Sequence, residues 1–259
     1  MKMLFLNLFE GVSEQARLDK IVSYIKKEDP EIICLAEACC WEKNKSIKLK
    51  NFKKNINCNY HYFHMSPIGE SLVIFSKTPF IKKFKIKPII PCSIMKCSLK
   101  INNININIFL AHLTARDEQG RIREIELILK KIDKKSNTIL LGDLNSLSPL
   151  DKYNEKKLLK KLKKLNIVKF GEGILKKDVQ TKILKFGLID TIKKFSKKLE
   201  HTVPTKFNKD KYHCEKLRLD YAYITLLLKK YLKSAKVIRT KETNQLSDHF
   251  PLVIEFEFS

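Results

Sequence analysis

Several polar residues lie at the ends of apolar segments that have the length of buried strands. Asn7 ends the first such segment, Glu37 follows "IICLA", and His112 ends "NIFLAH". The ends of neighbouring strands meet at one edge of a sheet, where active sites commonly form. Each of these residues alone is typical of a turn or a structural contact, but together they predict a site. The full set is Asn7, Glu37, His112, Asp143, Asn145, Asp220, Asp248 and His249.

The residue types in this set favour chemistry on a phosphate ester. The carboxylates and amides are hard oxygen ligands, which suit Mg²⁺ or Mn²⁺ rather than zinc. His112 and His249 exchange protons near neutral pH, and Asp220 can orient one imidazole through its second nitrogen. A metal, carboxylates and histidines together are typical of sites where water attacks phosphorus.

The stretch "LLGDLNSLSP" carries two members of the set directly after an apolar run. Asp143 and Asn145 are two residues apart, so on an extended backbone their side chains would face the same side. Gly, Asp, Asn, Ser and Pro are also the usual turn residues. We expect Asp143 and Asn145 to belong to the site, and we assign the turn to Ser146–Pro149.

Other catalytic motifs are absent from the sequence. There is no GxxxxGK[ST] loop, no GxGxxG and no GxSxG elbow. The seven cysteines form no CxxC repeat, and the histidines lack zinc spacing, so we expect a reducing, intracellular compartment. The start "MKMLFLNLF" is typical of a strand and not of a signal peptide, and no run of about 18 apolar residues predicts a membrane span.

The net charge of +24 suggests a polyanionic partner such as nucleic acid. However, only six of the 52 basic residues are arginines, although bidentate arginine is favoured in phosphate clamps. Lysine, isoleucine and asparagine are abundant even in ordinary segments, which is also the pattern of a compositional bias. Both interpretations of the charge remain open at this point.

The apolar patterns predict an α/β fold that begins with a β-α-β unit. Strands are expected at Met3–Leu8 and Ile32–Ala36, on either side of a helix that starts after Ser13 and ends before Pro30. Residues 151–200 are lysine-rich and helical in pattern, and we expect one domain over residues 1–259. Further strands are expected at Tyr60–His64, Leu72–Ser76, Ile81–Ile86, Ile94–Leu99, Ile104–His112, Thr138–Leu141, Leu217–Thr225, Lys236–Thr240 and Pro251–Phe258, with a helix at Gln119–Ile132.

With these elements in place, the motifs resemble those of the endonuclease/exonuclease/phosphatase superfamily. The trio GDLN, RLDY and SDH is specific, and the matching pieces follow the order of the family over nearly the whole chain. The pieces are "FLNLFEG", "IICLAEA", "SLVIFSK", "FLAHLTAR", "LLGDLNSLSP", "HTVPTKF", "LRLDYAYI" and "LSDHFPLVIEF". The resemblance implies a deoxyribonuclease I-like fold, a four-layer sandwich of two packed mixed β-sheets flanked by helices.

The resemblance also implies roles for the set. Asn7 and Glu37 resemble the metal-binding pair, for Mg²⁺ or Mn²⁺, and Asp248 resembles a further acid on the metal side. Asp143 resembles the carboxylate that activates water, and Asn145 the amide that holds the phosphate. The residues that resemble the remaining catalytic groups are His249, which contacts the phosphate, its partner Asp220, and His112, a candidate general acid or phosphate contact.

Substrate contacts are expected outside this set as well. Arg116, with Arg121 and Arg123 beyond it, lies close enough to His112 in sequence to bind a second phosphate, although surface arginines of a helix would show the same pattern. Tyr221 and Trp41 are candidates for stacking on a base or sugar, with packing inside the protein as the alternative reading.

These inferences predict a metal-dependent phosphodiesterase that acts on DNA or RNA as a monomer. A member acting on a phospholipid head group or a sugar phosphate is the alternative, and a catalytically silent binding module is a third hypothesis. Apurinic endonucleases of the family have a "YxPN" stretch where this chain has "HLTAR", which argues against the abasic-site branch. The substrate therefore stays open.

Overall fold

A computed structural model describes residues 1–65, 69–85, 93–208 and 210–258. The strands are β1 (Lys2–Asn7), β2 (Ile32–Ala36), β3 (Tyr60–His64), β4 (Leu72–Ser76), β5 (Phe80–Lys85), β6 (Ser93–Ile101), β7 (Ile104–His112), β8 (Thr138–Asp143), β9 (Ile189–Asp190), β10 (Asp220–Ile224), β11 (Leu232–Val237) and β12 (Leu252–Phe256). The helices are α1 (Gln15–Glu28), α2 (Lys43–Asn55), α3 (Glu118–Leu129), α4 (Glu155–Lys164), α5 (Asp178–Phe186) and α6 (Thr191–Phe195), with short 3₁₀ turns at Lys211–His213, Leu226–Tyr231 and Thr243–Gln245.

The described strands form two six-stranded mixed sheets. The first sheet has the order β11-β12-β1-β2-β4-β3 and the second has the order β5-β6-β7-β8-β10-β9. One parallel pair lies in each sheet, β1 with β2 and β7 with β8, and the other pairs are antiparallel. This architecture confirms the expected sandwich of two mixed sheets.

The central strands are apolar on both faces because each face packs against a different layer. Met3 and Phe5 of β1 lie in the cluster shared by the two sheets, whereas Leu4 and Leu6 pack in a second cluster with α1. In the second sheet, the outer face of β7 and β8 packs against α3 and α5. Burial on both faces explains why these strands read as continuous apolar runs rather than alternating ones.

The expected elements agree closely with the observed ones where the apolar pattern is strong. The strands at Ile32–Ala36, Tyr60–His64, Leu72–Ser76 and Ile104–His112 have the predicted bounds. Residues 151–200 contain α4, α5 and α6 but also β9 and loops, so the expectation of a helical region was only partly correct. Ile86, the last residue of one expected strand, and Cys92 lie outside the described residues.

Helix α2, like the two-residue strand β9, was not predicted from the sequence patterns. Only Leu49 and Phe52 of this lysine-rich helix are buried, so its apolar stripe is too sparse to give a helical period. Its first turn is irregular, with positive φ at Asn44, Lys45 and Ser46. Within the described residues, no helix has the length and apolar character needed to cross a bilayer.

The strand register of the second sheet places three polar residues in one row. His112 is paired with Asp143 across the parallel β7–β8 ladder, and Asp220 is paired with the same Asp143 across β8–β10. Gly142, with φ of 144°, allows this pairing, because a Cβ there would lie 1.8 Å from the carbonyl oxygen of Ala111. The glycine of the GDLN motif is therefore required by the close approach of β7 and β8.

Arg218, the arginine of the RLDY motif, is fully buried beneath this row. Its guanidinium donates to Asp190 through two nitrogens, at 3.0 and 2.7 Å, and to Asp151 Oδ2 at 2.8 Å. Through these two aspartates, Arg218, which lies two residues before β10, is connected with β9 and with the loop after β8. Arg218 therefore fixes the start of β10, where Asp220 lies.

Replacing Arg218 by methionine should strongly destabilise the fold, because the buried Asp190 would lose the cation that it binds and Asp151 would keep only its ion pair with Lys193. We expect Arg218→Met to lower the free energy of unfolding by about 3–5 kcal/mol, measured by chemical denaturation. Lys233→Met, which breaks the exposed Lys233–Glu257 pair, should leave stability unchanged within error. Equal stability of the two variants would contradict this role for Arg218.

Candidate active site

A cleft of about 650 Å³ opens where the edges of the two sheets meet. The first sheet contributes Glu37, directly after β2, together with Asp248 and His249, which precede β12. Because β12 is antiparallel to β1, the start of β12 lies beside the end of β1. The second sheet contributes His112 and Asp143, the last residues of β7 and β8. The cleft is thus lined by six of the eight residues that the sequence singled out, and the other two, Asn7 and Asp220, contact it through Asp143 and His249.

The side-chain oxygen Oδ2 of Asp143 is the point on which this cleft converges. It accepts a hydrogen bond from Asn7 Nδ2 at 3.2 Å. The Nε2 atoms of His112 and His249 lie 3.6 and 3.7 Å away, too far for direct hydrogen bonds. One carboxylate oxygen is therefore surrounded by three groups from three strand ends.

His249 is oriented by Asp220, with 2.7 Å between Nδ1 and Oδ2. Burial alone would lower the pKa of His249, but the negative charges of Asp220 and Asp248 raise it well above its ordinary value. The pKa of His112 is likewise raised, because Asp143, Glu70 and Glu37 outweigh the effect of burial. Both imidazoles therefore keep their proton to higher pH than a free histidine does, which favours the hydrogen-bond-donating form.

The carboxylates of the cleft provide a place for a divalent cation. Glu37 Oε1 accepts from Asn7 Nδ2 at 2.9 Å, so this pair is in contact at the ends of β1 and β2. Burial raises the pKa of Asp248 to about 6, although the positive charge of His249 opposes the shift. Burial also raises the pKa of Glu70, with neighbouring carboxylates adding to it. A cation would relieve this repulsion, so the residues fit a hard divalent ion.

The amide of Asn7 turns its nitrogen, not its oxygen, toward the two carboxylates, while Oδ1 accepts from the amide of Phe9 at 3.0 Å. Rotation of this amide would be needed before its oxygen could face a cation. Among the described residues, two His and carboxylate groups have ligand atoms within 4.8 Å of one another: His213–Asp248–His249 and Asp143–Asp220–His249. Asp248 belongs to one of these groups, and Glu37 belongs to neither.

The backbone of the GDLN motif differs from the expected extended form. Strand β8 ends at Asp143, and Asn145 has a φ of 49°, in the left-handed region. The amide N–H of Asn145 donates to Asp143 Oδ1 at 2.9 Å, which is an Asx turn. The two side chains therefore reach the cleft through a tight turn and not by sharing one face of a strand, so that part of the prediction was wrong.

Lys169 is a residue of the cleft that the sequence patterns missed. Its Nζ donates to Asn145 Oδ1 at 2.6 Å, and burial lowers the pKa of Lys169 to about 8. Nothing in the sequence distinguishes it from the other lysines, because it lies in an irregular segment between α4 and α5. Glu70 and His213 were missed as well, since Glu70 lies two residues before the start of β4 and His213 ends a short 3₁₀ turn.

His213 packs against His249, with ring centroids 4.9 Å apart, and its Nδ1 lies 3.4 Å from Asp248 Oδ2. Burial lowers the pKa of His213 to about 2, so this imidazole is neutral. The neutral ring fills the space between Asp248 and His249 on the wall of the cleft.

Two residues predicted to contact substrate lie inside the protein instead. The Tyr221 ring is fully buried, and its hydroxyl donates to the carbonyls of Ser146 and Arg218 at 2.8 and 2.7 Å. Trp41 is also fully buried, with Nε1 donating to the Gly11 carbonyl at 2.7 Å. Neither ring can stack on a substrate from these positions, so the assignment of Tyr221 to substrate binding was wrong, and for Trp41 the alternative of packing inside the protein is the one observed.

The arginines after His112 have separate positions. Arg116 and Arg123 are exposed, and Arg116 is not among the residues that line the cleft. Arg121 is fully buried, and its guanidinium binds Glu118 Oε2 and the carbonyl of Lys169. The three arginines therefore do not form one cluster, and Arg121 has a structural position.

Comparison with known proteins agrees with this geometry. The model of the Endonuclease/Exonuclease/phosphatase family matches residues 4–249. The chain belongs to this family. Members of the family are generally hydrolases of phosphate esters that depend on divalent metals, so membership supports an activity of the phosphodiesterase or nuclease type. Comparison with curated protein sequences finds no match.

Solved structures show the same fold at low sequence identity. A family protein from Leptotrichia buccalis is 19% identical with a TM-score of 0.71, and an AP endonuclease from Archaeoglobus fulgidus is 18% identical with a TM-score of 0.72; both matches cover 100% of each chain. A humanized TDP2 from D. rerio is 15% identical with a TM-score of 0.67, covering 100% of this chain and 99% of that one. These similarities establish the fold of the chain.

Metal affinity should depend on Glu37. We expect Glu37→Gln to weaken Mn²⁺ binding about tenfold or more, because an anionic ligand at the contact with Asn7 is lost. Isothermal titration with Mn²⁺, or its paramagnetic signal, measures the affinity. Glu126→Gln removes the same charge at an exposed pair with Lys182 and serves as the control. Equal affinities for the two variants would exclude Glu37 as a ligand.

Proposed function

We propose that the chain is a metal-dependent phosphodiesterase that cuts nucleic acid by in-line attack of water. The observation that carries the proposal is the convergence of Asn7, His112 and His249 on one oxygen of Asp143 in the cleft. This places a proton acceptor beside two cationic donors, an arrangement that suits attack on an anionic phosphorus centre. Membership in the family supports the same reaction class.

In this mechanism, Asp143 accepts the proton of the attacking water. The gaps of 3.6 and 3.7 Å between Oδ2 and the two imidazoles leave these groups free to contact water or a phosphate oxygen rather than each other. Hydrogen bonds of catalytic groups are commonly long before substrate binds. The Asx turn holds Oδ1 of the same carboxylate, so Asp143 keeps a fixed orientation while Oδ2 reacts.

His249 and Asn145 stabilise the charge that develops on the phosphoryl oxygens. Asp220 binds Nδ1 of His249, which directs the Nε2 proton into the cleft. The Asn145 amide is anchored by the carbonyl of Leu113 at 2.8 Å, which leaves a second N–H for a phosphate oxygen. His112 is the second protonated imidazole and is assigned to the leaving oxygen or to a further phosphate contact.

A divalent ion, held by Glu37, Asn7 and Asp248, would supply Lewis-acid neutralisation of the phosphate charge. Around it, this chain presents donors that are held by buried side chains, among them His249 and Asn145. Fixed donors of this kind pay no reorganisation cost when the transition state forms, which is why they are effective in a low-dielectric cleft.

The surroundings of the cleft favour an extended polyanion over a small head group. A second cavity of about 620 Å³ runs between α1 and α2, and Cys40 and Lys43 line both cavities. We call this cavity the α1–α2 groove. The groove is lined by Lys43, Lys48 and Lys54, with side-chain amides between them and Asp19 as its acidic side chain. Lysines and amides are groups that contact a nucleic-acid backbone.

The placement of exposed apolar residues gives less support to a phospholipid substrate. Leu226 and Leu227, 65% and 45% exposed, follow β10, whose first residue Asp220 binds His249. Five extended residues span about 17 Å, so these leucines lie at the end of β10 away from the cleft. A membrane that docked there would not meet the site, although Met65 does provide one exposed apolar side chain at the cleft.

Two substitutions test the mechanism. Asp143→Asn should reduce hydrolysis of a phosphodiester about 100-fold or more, because the acceptor for the water proton is lost. His249→Gln should reduce it about 100- to 1,000-fold through loss of a donor to the transition state. Circular dichroism checks that both variants fold, and EDTA defines the background rate. Asp29→Asn and His61→Gln are controls away from the cleft. Turnover like that of the unsubstituted protein in either variant would overturn its assignment.

The substrate class is tested with a panel in Mg²⁺ or Mn²⁺: single- and double-stranded DNA, abasic DNA, RNA, sphingomyelin and inositol phosphates. We expect activity on nucleic acid, and Lys43→Gln/Lys54→Gln should raise KM for an oligonucleotide but not for a small aryl phosphodiester. Lys229→Gln/Lys230→Gln, at exposed positions after β10, removes the same charge elsewhere. Activity confined to the lipid or to inositol phosphates would support the alternative substrate class instead.

A further inference from the structure

Lys169 is a buried cation in the wall of the cleft. The side chain is 5% exposed, yet it lines the cavity together with Asp143 and Asn145. The backbone of Lys169 is held by Arg121 of α3, which donates to the Lys169 carbonyl at 2.7 Å. Arg121 is itself paired with Glu118 at 2.9 Å. A buried lysine held in this way is uncommon unless its charge has a use.

The contacts of the Lys169 ammonium point to Asn145. Nζ donates to Asn145 Oδ1 at 2.6 Å, and it lies 5.2 and 5.6 Å from the ring centroids of Phe170 and Tyr212. Among the described residues, no carboxylate oxygen lies within 4.0 Å of Lys169 Nζ, the distance limit for an ion pair. The ammonium therefore has a single hydrogen-bond acceptor in the described structure, and that acceptor belongs to a residue assigned to the phosphate.

This contact determines which way the Asn145 amide faces. The amide oxygen meets the ammonium, and the amide nitrogen meets the carbonyl of Leu113 at 2.8 Å. Reversal of the amide would place its NH₂ against an ammonium and its oxygen against a carbonyl, two repulsive contacts at once. The ammonium and the carbonyl thus select one orientation, in which the remaining N–H of Asn145 is available to a phosphate oxygen.

We propose that Lys169 is a positioning residue of the phosphodiester hydrolysis, which holds the Asn145 amide in its phosphate-binding orientation and polarises it. The inference rests on the proposed function, and it adds a residue from the segment between α4 and α5 to the strand-end site. A charge-assisted hydrogen bond of this kind withdraws electrons from the amide and makes its N–H a stronger donor.

The test compares Lys169→Met with Lys211→Met at pH 7. Lys211 carries the same charge and lies 5.4 Å from the same Tyr212 ring, but it is exposed and is not among the residues that line the cleft, so it serves as the control. Lys169→Met should lower kcat about 10- to 100-fold with little change in KM or Mn²⁺ affinity. Lys211→Met should leave all three unchanged.

A double-mutant cycle separates positioning from a general structural effect. If Lys169 acts through Asn145, the variant Lys169→Met/Asn145→Ala should be no slower than Asn145→Ala alone. Lys169→Arg keeps a charged donor and should recover most of kcat. This variant also tests the proposal if Lys169→Met does not fold. Three results would each overturn the proposal. The first is additive losses in the cycle, and the second is a kcat of Lys169→Met equal to that of the unsubstituted protein. The third is a loss in Lys169→Arg equal to that in Lys169→Met.

A readout without turnover keeps this inference distinct from the proposed function. The side-chain amide signal of Asn145 in ¹H–¹⁵N spectra, assigned with Asn145→Asp, should move in Lys169→Met and stay in place in Lys211→Met. If no phosphodiester is cut by the protein, the proposed function fails while this signal still reports whether Lys169 holds the amide. An unmoved signal in Lys169→Met rejects the positioning role even if the protein is an active phosphodiesterase.

Discussion

Repulsion among carboxylates held at one sheet edge is the constraint on which the site depends. Seven carboxylate side chains line the cleft of a protein whose net charge is +24: Glu10, Glu37, Glu42, Glu70, Asp143, Asp210 and Asp248. Burial raises the pKa of Asp248 and Glu70, which shows that their ionised forms are disfavoured without a cation. His112, His249 and Lys169 offset part of this charge. The remainder is an electrostatic preference for a divalent ion, and it exists before any ion binds.

Strand register maintains this unfavourable arrangement. His112, Asp143 and Asp220 occupy one row across β7, β8 and β10, and each strand is fixed by apolar contacts on both faces. A slip of one residue would turn the whole apolar set of a strand to the wrong face, so the packing energy of the sheets specifies where the polar row lies. Arg218 adds a buried ion pair beneath the same row. The stability of the sandwich thereby offsets the cost of concentrating charge at its edge.

The site residues next to apolar strands could be predicted from the sequence, whereas the residues that loops bring to the cleft could not. Asn7, Glu37, His112, Asp143, Asp220 and the Asp248–His249 pair were singled out because each adjoins an apolar run, and most of these runs have nearly the observed bounds. Lys169 and Glu70 lie in irregular segments and His213 lies in a short 3₁₀ turn, where a residue's neighbours in space do not follow from its neighbours along the chain. Tyr221 was wrongly assigned to substrate binding, and Trp41 was left as a candidate for it, because an aromatic residue near a catalytic motif looks the same in sequence whether its ring faces the core or the substrate. Their hydrogen bonds to backbone carbonyls could be read only from the structure.

Overall charge and local charge act in opposite directions in this protein. Among the lysines that the structure describes, only Lys43 and Lys169 line the cleft, so most of the positive charge of these residues lies outside it. On the proposed function, the surface charge raises the local concentration of a polyanion, as fields of this kind do at long range. The acidic cleft, by contrast, repels a phosphate until a divalent ion is present. Productive binding of substrate would then require the metal to be bound first or to arrive with the substrate, because only the ion reverses the sign of the potential where the phosphorus must lie.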